Sequence, residues 1–275
     1  MSKFDIQGLT KTFFGGKDRR ECANPRCSAK SKQPIGIVFY EQWFCSPDCF
    51  EPAVQQKLVE SLSTRDKQEK HPSLRMPLGL VLVSRGILSH EQLKIALNHQ
   101  RTSGTNFGEV LQELGFATQQ QVTAAVAAQW ACPVFSIGDR PLPAGVRIPT
   151  RLLELYGMLP VHFSETGRKL MVGFITRVQH HMLSIIEHVT SCTATPCFIT
   201  DNEYRRHLQA LAVESAEHEL VCDRPIGPAE IAKLVRDQIS QTGGEEVRFG
   251  MCRDYLWVRL LGHQEIDLLF RIQQD

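Results

Sequence analysis

The sequence lacks a long apolar run and a strong excess of charge of either sign. No stretch approaches the roughly 18 apolar residues that a membrane-spanning helix requires, and residues 1–20 lack the apolar core of a secretory signal. A formal net charge of +1 argues against a strongly basic nucleic-acid-binding protein, although local basic patches stay possible. The nine cysteines are an odd number, which favours metal binding in a reducing compartment over a disulfide framework. We therefore expect a cytoplasmic protein.

The sequence also lacks the P-loop pattern, GxxxxGK followed by Ser or Thr, that cradles nucleotide phosphates. The nearest stretch contains Gly15, Gly16 and Lys17, but it has no upstream Gly at the right spacing and no hydroxyl residue after the Lys. No catalytic combination of Ser, Cys, His and Asp can be nominated, because long-range geometry is not visible in a sequence. We expect that the chain is not an enzyme.

Changes in composition divide the chain into segments. Residues 20–62 contain four cysteines and a helix-like end, and residues 63–76 are polar and charged, as is typical of a linker. Residues 77–213 begin with a repeated helical pattern and continue as mixed helix and strand. A hinge is expected at 222–228, before a small α/β unit at 226–275. The predicted fold class is therefore α+β, with several domains.

Hydrophobic patterning after the repeat predicts the order of the later elements. Two strands should flank the turn at 164–168, and the helix at 201–220 should have Asp201 as its N-cap. The remaining expectations are a helix at 178–191, a strand at 194–200, a helix at 228–244 and strands at 245–251, 254–262 and 265–272.

Four cysteines form two close pairs near the start of the sequence. Cys22 and Cys27 are separated by four residues and Cys45 and Cys49 by three, with a span between the pairs that is long enough for a β-hairpin. This spacing indicates a structural zinc site with four thiolate ligands, in preference to four unrelated buried thiols. A segment of this size has too little apolar content to fold without such a metal. Its stretch FCSPDCF resembles the treble-clef fingers of the FCS/TRASH type.

Residues 77–129 contain the same helical pattern twice. At an offset of 29, Gly79 aligns with Gly108, and Gly86 aligns with Gly115. Each unit has a capping box of Ser or Thr followed three residues later by Gln, at 89–92 and at 118–121, which predicts a helix start there. The later glycines are placed where a helix end requires positive φ. The earlier glycines lie in the first turn of a helix, where they suggest close approach of another backbone or of a ligand.

This spacing resembles the tandem motif RLGxxLVxxGxxxxxxLxxxLxxQ of the MshEN domain, which is the N-terminal domain of type II secretion (GspE-like) and type IV pilus assembly ATPases. In that family the motif occurs twice with a five-residue spacer and binds cyclic di-GMP. Here the units are 77–100 and 106–129. The resemblance implies the MshEN fold over about 77–213, with an α/β portion after the helices. It also implies these ligand-binding residues: Leu78, Gly79, Leu82, Val83, Gly86, Leu93, Leu97, Gln100, Phe107, Gly108, Leu111, Gly115, Val122, Val126 and Gln129.

The chain departs from the family at the first motif position. Pro77 and Asn106 stand where the family has arginines that could stack on a base and contact phosphate. Losing two charge-assisted contacts of about 1.5–3 kcal/mol each could remove several decades of affinity. Cyclic di-GMP binding and a purely structural domain therefore both stay open.

The leading hypothesis is a non-enzymatic cytoplasmic regulator or adaptor. Its MshEN-like domain would bind cyclic di-GMP or a protein of a secretion or pilus machine. The alternative is a regulator whose zinc finger binds nucleic acid, with the MshEN-like domain as a structural or protein-interaction module.

Overall fold

The computed structural model describes residues 20–31, 35–65, 75–214 and 219–273. Gly15, Gly16, Lys17 and most of the predicted linker lie outside these residues. The predicted α+β class is confirmed.

In chain order the helices are α1 (Pro47–Arg65), α2 (Leu78–Ser84), α3 (His90–Ser103), α4 (Phe107–Glu113), α5 (Gln119–Gln129), α6 (Thr150–Tyr156), α7 (His180–Thr190), α8 (Asp201–Glu214) and α9 (Pro228–Thr242). The strands are β1 (Arg20–Glu21), β2 (Lys30–Ser31), β3 (Ile37–Phe39), β4 (Gln42–Phe44), β5 (Met158–Ser164), β6 (Lys169–Phe174), β7 (Thr193–Phe198), β8 (Glu219–Ile226), β9 (Glu246–Cys252), β10 (Tyr255–Leu261) and β11 (Ile266–Ile272).

The chain forms two compact units, each made from separate parts of the sequence. The first contains Met1–Thr64, Gly227–Val247 and Leu260–Gln264. The second contains Arg65–Ile226, Arg248–Arg259 and Glu265–Asp275. The four-segment division by composition stays a prediction.

The first unit is built on two small antiparallel hairpins and two helices. Strands β1 and β2 pair with each other, and β3 pairs with β4 through a two-residue turn. Tyr40 and Glu41 occupy this turn with φ of 45° and 64°, the left-handed conformation that hairpin turns of this length favour. Strand β3 also pairs in parallel with the start of β9, where Val38 lies opposite Glu246. Residues from both ends of the sequence therefore share this unit.

The second unit begins with the tandem helical hairpins. Helices α3 and α5 start with the predicted capping boxes, in which Ser89 and Thr118 accept hydrogen bonds from the backbone N–H groups of Gln92 and Gln121. The two hairpins lie side by side, since α2 contacts α5 and α3 contacts α4. Their apolar faces join one core with the α/β portion that follows.

The α/β portion is a three-stranded sheet with the order β5-β6-β7. The predicted hairpin is confirmed, because β5 and β6 are antiparallel. Strand β7 is parallel to β6, and α7 makes the crossover that a parallel pair requires. Helix α8 starts at Asp201, but its cap is Thr200, whose hydroxyl accepts a hydrogen bond from Glu203 N at 3.3 Å. The prediction of Asp201 as N-cap was wrong, because a Thr-x-x-Glu capping box begins one residue earlier.

The hinge expected at 222–228 stays a prediction. Most of that stretch belongs to strand β8, which runs parallel to β11, with Leu220 opposite Leu268. The Pro and Gly residues of the stretch suggested that no strand or helix continues through it. Among the described residues, β11 is the only strand that pairs with β8, so β8 is an edge strand. Pro225, which has no N–H group, therefore costs no hydrogen bond to a strand on the other side. The predicted strands of the last segment correspond to β9, β10 and β11.

A buried ion pair lies in the second unit. Arg259 and Asp267 are 3% and 2% exposed, and their side chains form two hydrogen bonds of 2.8 Å. Asp267 also accepts a hydrogen bond of 2.7 Å from the indole N–H of Trp257. Such pairing is what makes a buried charge tolerable. Within the described residues, none of the helices combines the length and apolar character needed to cross a membrane.

Candidate metal centre and ligand groove

The structure brings the four cysteines of the first unit together. All four sulfur atoms lie within 4.8 Å of one another. The Sγ atoms of Cys27 and Cys45 are 3.7 Å apart, and those of Cys45 and Cys49 are 3.6 Å apart. Zn–S bonds of about 2.3 Å in a tetrahedron place neighbouring sulfurs about 3.8 Å apart. The arrangement therefore fits a tetrahedral metal ion held by four thiolates.

Backbone hydrogen bonds fix the positions of these cysteines. Cys22 and Cys27 lie in the loop between β1 and β2, where Cys22 N donates to Ala29 O at 3.0 Å. The side chain of Asn24 crosses to the other pair and donates to Cys49 O at 3.2 Å. Cys45 follows β4, and Cys49 lies in the first turn of α1.

The thiols influence one another's ionisation. Burial, followed by hydrogen bonds with the neighbouring cysteines, raises the pKa of Cys45 to about 12. At Cys22, burial acts to raise the pKa, but hydrogen bonds involving the backbone of Cys45 and Asn24 outweigh it and lower the pKa. So close a group of thiols can ionise together only when a cation balances the charge, which is the chemistry a bound metal supplies.

The repeated glycines of the second unit serve two different purposes. Gly86 and Gly115 follow α2 and α4 with φ of 68° and 66°, and a Cβ added at either would meet nothing within 4 Å. The positive φ therefore explains why glycine stands there, as predicted for a helix end.

The glycines in the first turns permit close packing inside each hairpin. A Cβ at Gly79 would lie 2.4 Å from Leu93 Cδ1, and a Cβ at Gly108 would lie 2.9 Å from Val122 Cγ1. Each glycine thus lets its helix approach the longer helix of the same hairpin. This packing accounts for the early glycines without a ligand, although Gly108 also lines a groove.

A groove of about 440 Å³ opens beside the second hairpin. Its volume is in the range of small-ligand sites. Five of the residues that the MshEN resemblance implies line it, and they come from both repeats: Leu78, Phe107, Gly108, Val122 and Val126. The tandem arrangement thus produces a concave surface that includes part of the predicted ligand site, which stays a prediction.

The other predicted ligand residues lie elsewhere. Leu82 and Leu111 are fully buried in the core, and Gly86 and Gly115 are exposed in turns. Gln129 donates from Nε2 to Met76 O at 2.5 Å, which ties the segment before α2 to the end of α5. The remaining members do not line this groove, namely Gly79, Val83, Leu93, Leu97 and Gln100.

The two repeats differ at one equivalent position. Leu97 of the first repeat is 40% exposed, whereas Val126 of the second is 6% exposed and forms part of the groove wall. The sequence pattern treats these residues as equivalent. The two repeats therefore differ in exposure at this position.

The charge of the groove is negative. Glu109, Glu113 and Asp201 line it, and neither lysine nor arginine is among its lining residues. Arg205 lies nearby and contacts Asp201 at 2.6 Å and Glu109 at 4.0 Å, so it offsets part of this charge. Asn106, at the first motif position, also lines the groove and offers an uncharged amide.

Comparisons with known proteins find a sequence similarity to a pilus assembly ATPase. No family model matches the chain. The type IV pilus assembly ATPase PilB of Thermus thermophilus is 23% identical over 137 residues, which are 49% of this chain and 15% of that protein. The predicted resemblance to pilus and secretion ATPases is confirmed by this similarity. The chain spans only about 15% of that relative's length.

Two solved structures align with about half of the chain. A structure of MshE with cdg has a TM-score of 0.43 and 22% identity, and the alignment covers 50% of this chain and 99% of that one. The N-terminal domain of XpsE has a TM-score of 0.39 and 16% identity, with 51% and 97% covered.

Several groove residues were not predicted from the sequence. Ile175 and Thr176 follow β6, and Asp201 and Asn202 begin α8, so folding of the α/β portion brings them to the hairpins. No local motif marks them. On the repeat itself, Thr123 lies next to the motif position Val122 and lines the groove, but the motif leaves its position unspecified.

Proposed function

We propose that this chain is a non-catalytic adaptor or regulator whose tandem-hairpin module binds a protein of a type IV pilus or type II secretion machine. The observation that carries the proposal is the groove in which Leu78 of one repeat meets Phe107 and Val126 of the other. Sequence similarity to a pilus assembly ATPase over 137 residues supports the choice of machine. On this proposal the purified chain does not hydrolyse ATP.

Cyclic di-GMP is the second candidate ligand for the same groove. Apolar residues such as Leu78, Val122 and Val126 suit the faces of a guanine base, and they are positions that the family motif assigns to the nucleotide. Two features disfavour it here. Pro77 and Asn106 replace the motif arginines, and the carboxylates of Glu109 and Glu113 would repel a phosphodiester. A protein partner is therefore our first choice.

The metal that we propose for the four-cysteine centre is zinc, in a structural role. Four thiolates at tetrahedral separations are a donor set that zinc prefers. Cys22, Cys27, Cys45 and Cys49 would fill all four coordination positions, so the metal would have no open position for a substrate. The bound ion would supply folding free energy to a unit with short strands.

Binding of purified cytoplasmic pilus and secretion proteins from the same organism tests the proposal. Gln119 lines the groove, whereas Gln120 is the next residue of α5, exposed and outside it. Gln119→Arg should therefore abolish binding of the machine protein, and the matched Gln120→Arg variant should retain it.

Titration calorimetry with cyclic di-GMP decides between the two candidates. Saturable heat with the nucleotide, together with no binding of any machine protein, would favour the second candidate.

A further inference from the structure

The wall of the groove combines accessible carboxylates with an apolar floor. The side chains of Glu109 and Glu113 are 45% and 56% exposed, and that of Asp201 is 32% exposed. Arg205 offsets some of the charge of Glu109 and Asp201, and His99 lies 3.7 Å from Glu113. The groove keeps a negative excess, because three carboxylates outnumber the nearby Arg205 guanidinium and the His99 imidazole. A cation at the rim would therefore be attracted, and an anion would be repelled.

The floor is formed by aliphatic and aromatic side chains from three parts of the second unit. Leu78 comes from α2, Phe107, Val122 and Val126 come from the second hairpin, and Ile175 comes from the end of β6. An apolar side chain placed among them would be removed from water, which is favourable roughly in proportion to the apolar area buried.

A threonine side chain lies among these apolar residues. Thr123 is 6% exposed and lines the groove. Its hydroxyl makes no hydrogen bond with any other residue that the structure describes. A hydroxyl group can both donate and accept a hydrogen bond, so it suits either polar group of a peptide backbone. A polar group of the ligand is therefore expected to reach Thr123, between the apolar floor and the acidic rim.

We propose that the groove binds a basic, apolar peptide segment of the partner. An apolar side chain of the segment would occupy the floor, and a flanking Lys or Arg would pair with Glu109 or Glu113. A backbone group of the segment would form a hydrogen bond with Thr123. This inference rests on the proposed adaptor function and specifies the chemistry of the partner at the same groove. The carboxylates that make a phosphodiester a poor ligand are the groups that recognise such a segment.

Synthetic peptides test this chemistry without any machine protein. One labelled peptide alternates Leu and Lys, and a matched peptide alternates Leu and Glu. Fluorescence anisotropy with the full chain should show salt-dependent binding of the Leu–Lys peptide alone. The double variant Glu109→Gln/Glu113→Gln should weaken this binding about ten-fold or more. The matched variant Glu91→Gln, which neutralises an exposed carboxylate of α3 outside the groove, should leave it unchanged.

Two further variants separate the possible ligands. Thr123→Val removes one hydrogen bond and should weaken the Leu–Lys peptide about five-fold, without changing the fold as judged by circular dichroism. Glu113→Lys should weaken the Leu–Lys peptide, but it should strengthen any binding of cyclic di-GMP, because it reverses the sign of the rim charge.

The inference is overturned if the Leu–Glu peptide binds as well as the Leu–Lys peptide, if neither peptide binds, or if Glu109→Gln/Glu113→Gln has no effect. It is also overturned if cyclic di-GMP binds the wild-type chain more tightly than the Leu–Lys peptide does and displaces that peptide. Failure of the adaptor function gives a different result, because the peptide would then bind while no machine protein does. If instead Gln119→Arg prevents capture of a machine protein but neither peptide binds, the adaptor function survives and only this inference fails.

Discussion

Arg236 of α9 donates a hydrogen bond of 2.7 Å to Glu51 of α1, although the two residues are 185 positions apart in the sequence. The same guanidinium lies 3.9 Å from Asp48, in the first turn of α1. Strand β3 adds a second link, since Val38 N donates to Glu245 O at 2.7 Å. The cysteine-containing segment thus forms one compact unit with a segment close to the other end of the sequence.

Removing the metal should loosen α9 as well as the cysteine loops. Because Cys49 lies in α1 and Cys45 follows β4, metal loss should weaken both the α1 contact to Arg236 and the β3 pairing. Hydrogen exchange should therefore become faster in Pro228–Thr242 after chelation or in Cys45→Ser. The control Cys132→Ser, in the second unit, should keep one zinc per chain and normal exchange in α9. Unchanged exchange in α9 after complete metal removal would argue against this coupling.

The buried pair of Arg259 and Asp267 should be highly sensitive to the loss of one partner. Asp267→Asn leaves the Arg259 guanidinium buried without its counter-ion, and we expect it to lower the free energy of unfolding by about 3–5 kcal/mol. Glu154→Gln breaks an exposed pair with Arg151 and should change the free energy of unfolding by less than about 1 kcal/mol. Urea unfolding of both variants measures the difference. Equal effects of the two substitutions would contradict a stronger dependence of folding on the buried pair than on the exposed pair.

Glu203 should make stability depend on pH. Its carboxylate accepts hydrogen bonds from Thr200, Ser136 and the backbone N–H groups of Ile137 and Gly138. Burial acts to raise the pKa of Glu203, but these hydrogen bonds, led by the one from Thr200, outweigh it and lower the pKa. A lowered folded-state pKa means that the contribution is present above the ordinary Glu pKa of about 4.3 and is lost as the pH falls below it.

Glu203→Gln should therefore destabilise the chain by about 2 kcal/mol at neutral pH, and the difference from the wild type should shrink in acid. Thermal unfolding between neutral pH and about pH 3 measures this trend. The control Glu165→Gln changes an exposed carboxylate and should show no such dependence. A difference for Glu203→Gln that stayed constant across this range would contradict the assigned role.

Gly115 should tolerate Asn better than Ala. Its φ of 66° costs an ordinary L-residue about 1–2 kcal/mol, and Asn adopts this conformation more readily than Ala does. Crowding plays no part, since an added Cβ would meet nothing within 4 Å. Denaturant midpoints should therefore rank the wild type above Gly115→Asn, and Gly115→Asn above Gly115→Ala. A wild-type midpoint for Gly115→Ala would show that backbone conformation is not what selects the glycine.

The features that could be predicted from the sequence are those determined by neighbouring residues. The capping boxes at Ser89 and Thr118 and the positive φ of Gly86 and Gly115 depend on residues within one helical turn. The four-cysteine cluster was also predictable, because metal ligation by close cysteine pairs has a characteristic spacing.

The features that could not be predicted depend on residues far apart in the sequence. Strand β8 contains a Pro and ends before a Gly, and only its pairing with β11 makes it a strand. The groove joins Leu78 to Asp201, which meet only after the α/β portion has folded against the hairpins. Gly79 was expected to permit close approach of another backbone or of a ligand. Its close neighbour is instead the Leu93 side chain of the same hairpin, a contact that no local pattern in the sequence marks.

The most direct test of the account is site-specific photo-crosslinking from the groove in cells that carry a pilus or secretion machine. A photoreactive residue at Gln119 points to the groove, and the same residue at Gln120 serves as the neighbouring control outside it. The account predicts a cross-link between Gln119 and a basic segment of a machine protein, and none from Gln120. Cross-linking with equal yield from both positions, or from Gln120 alone, would contradict the claim that this groove is the binding site.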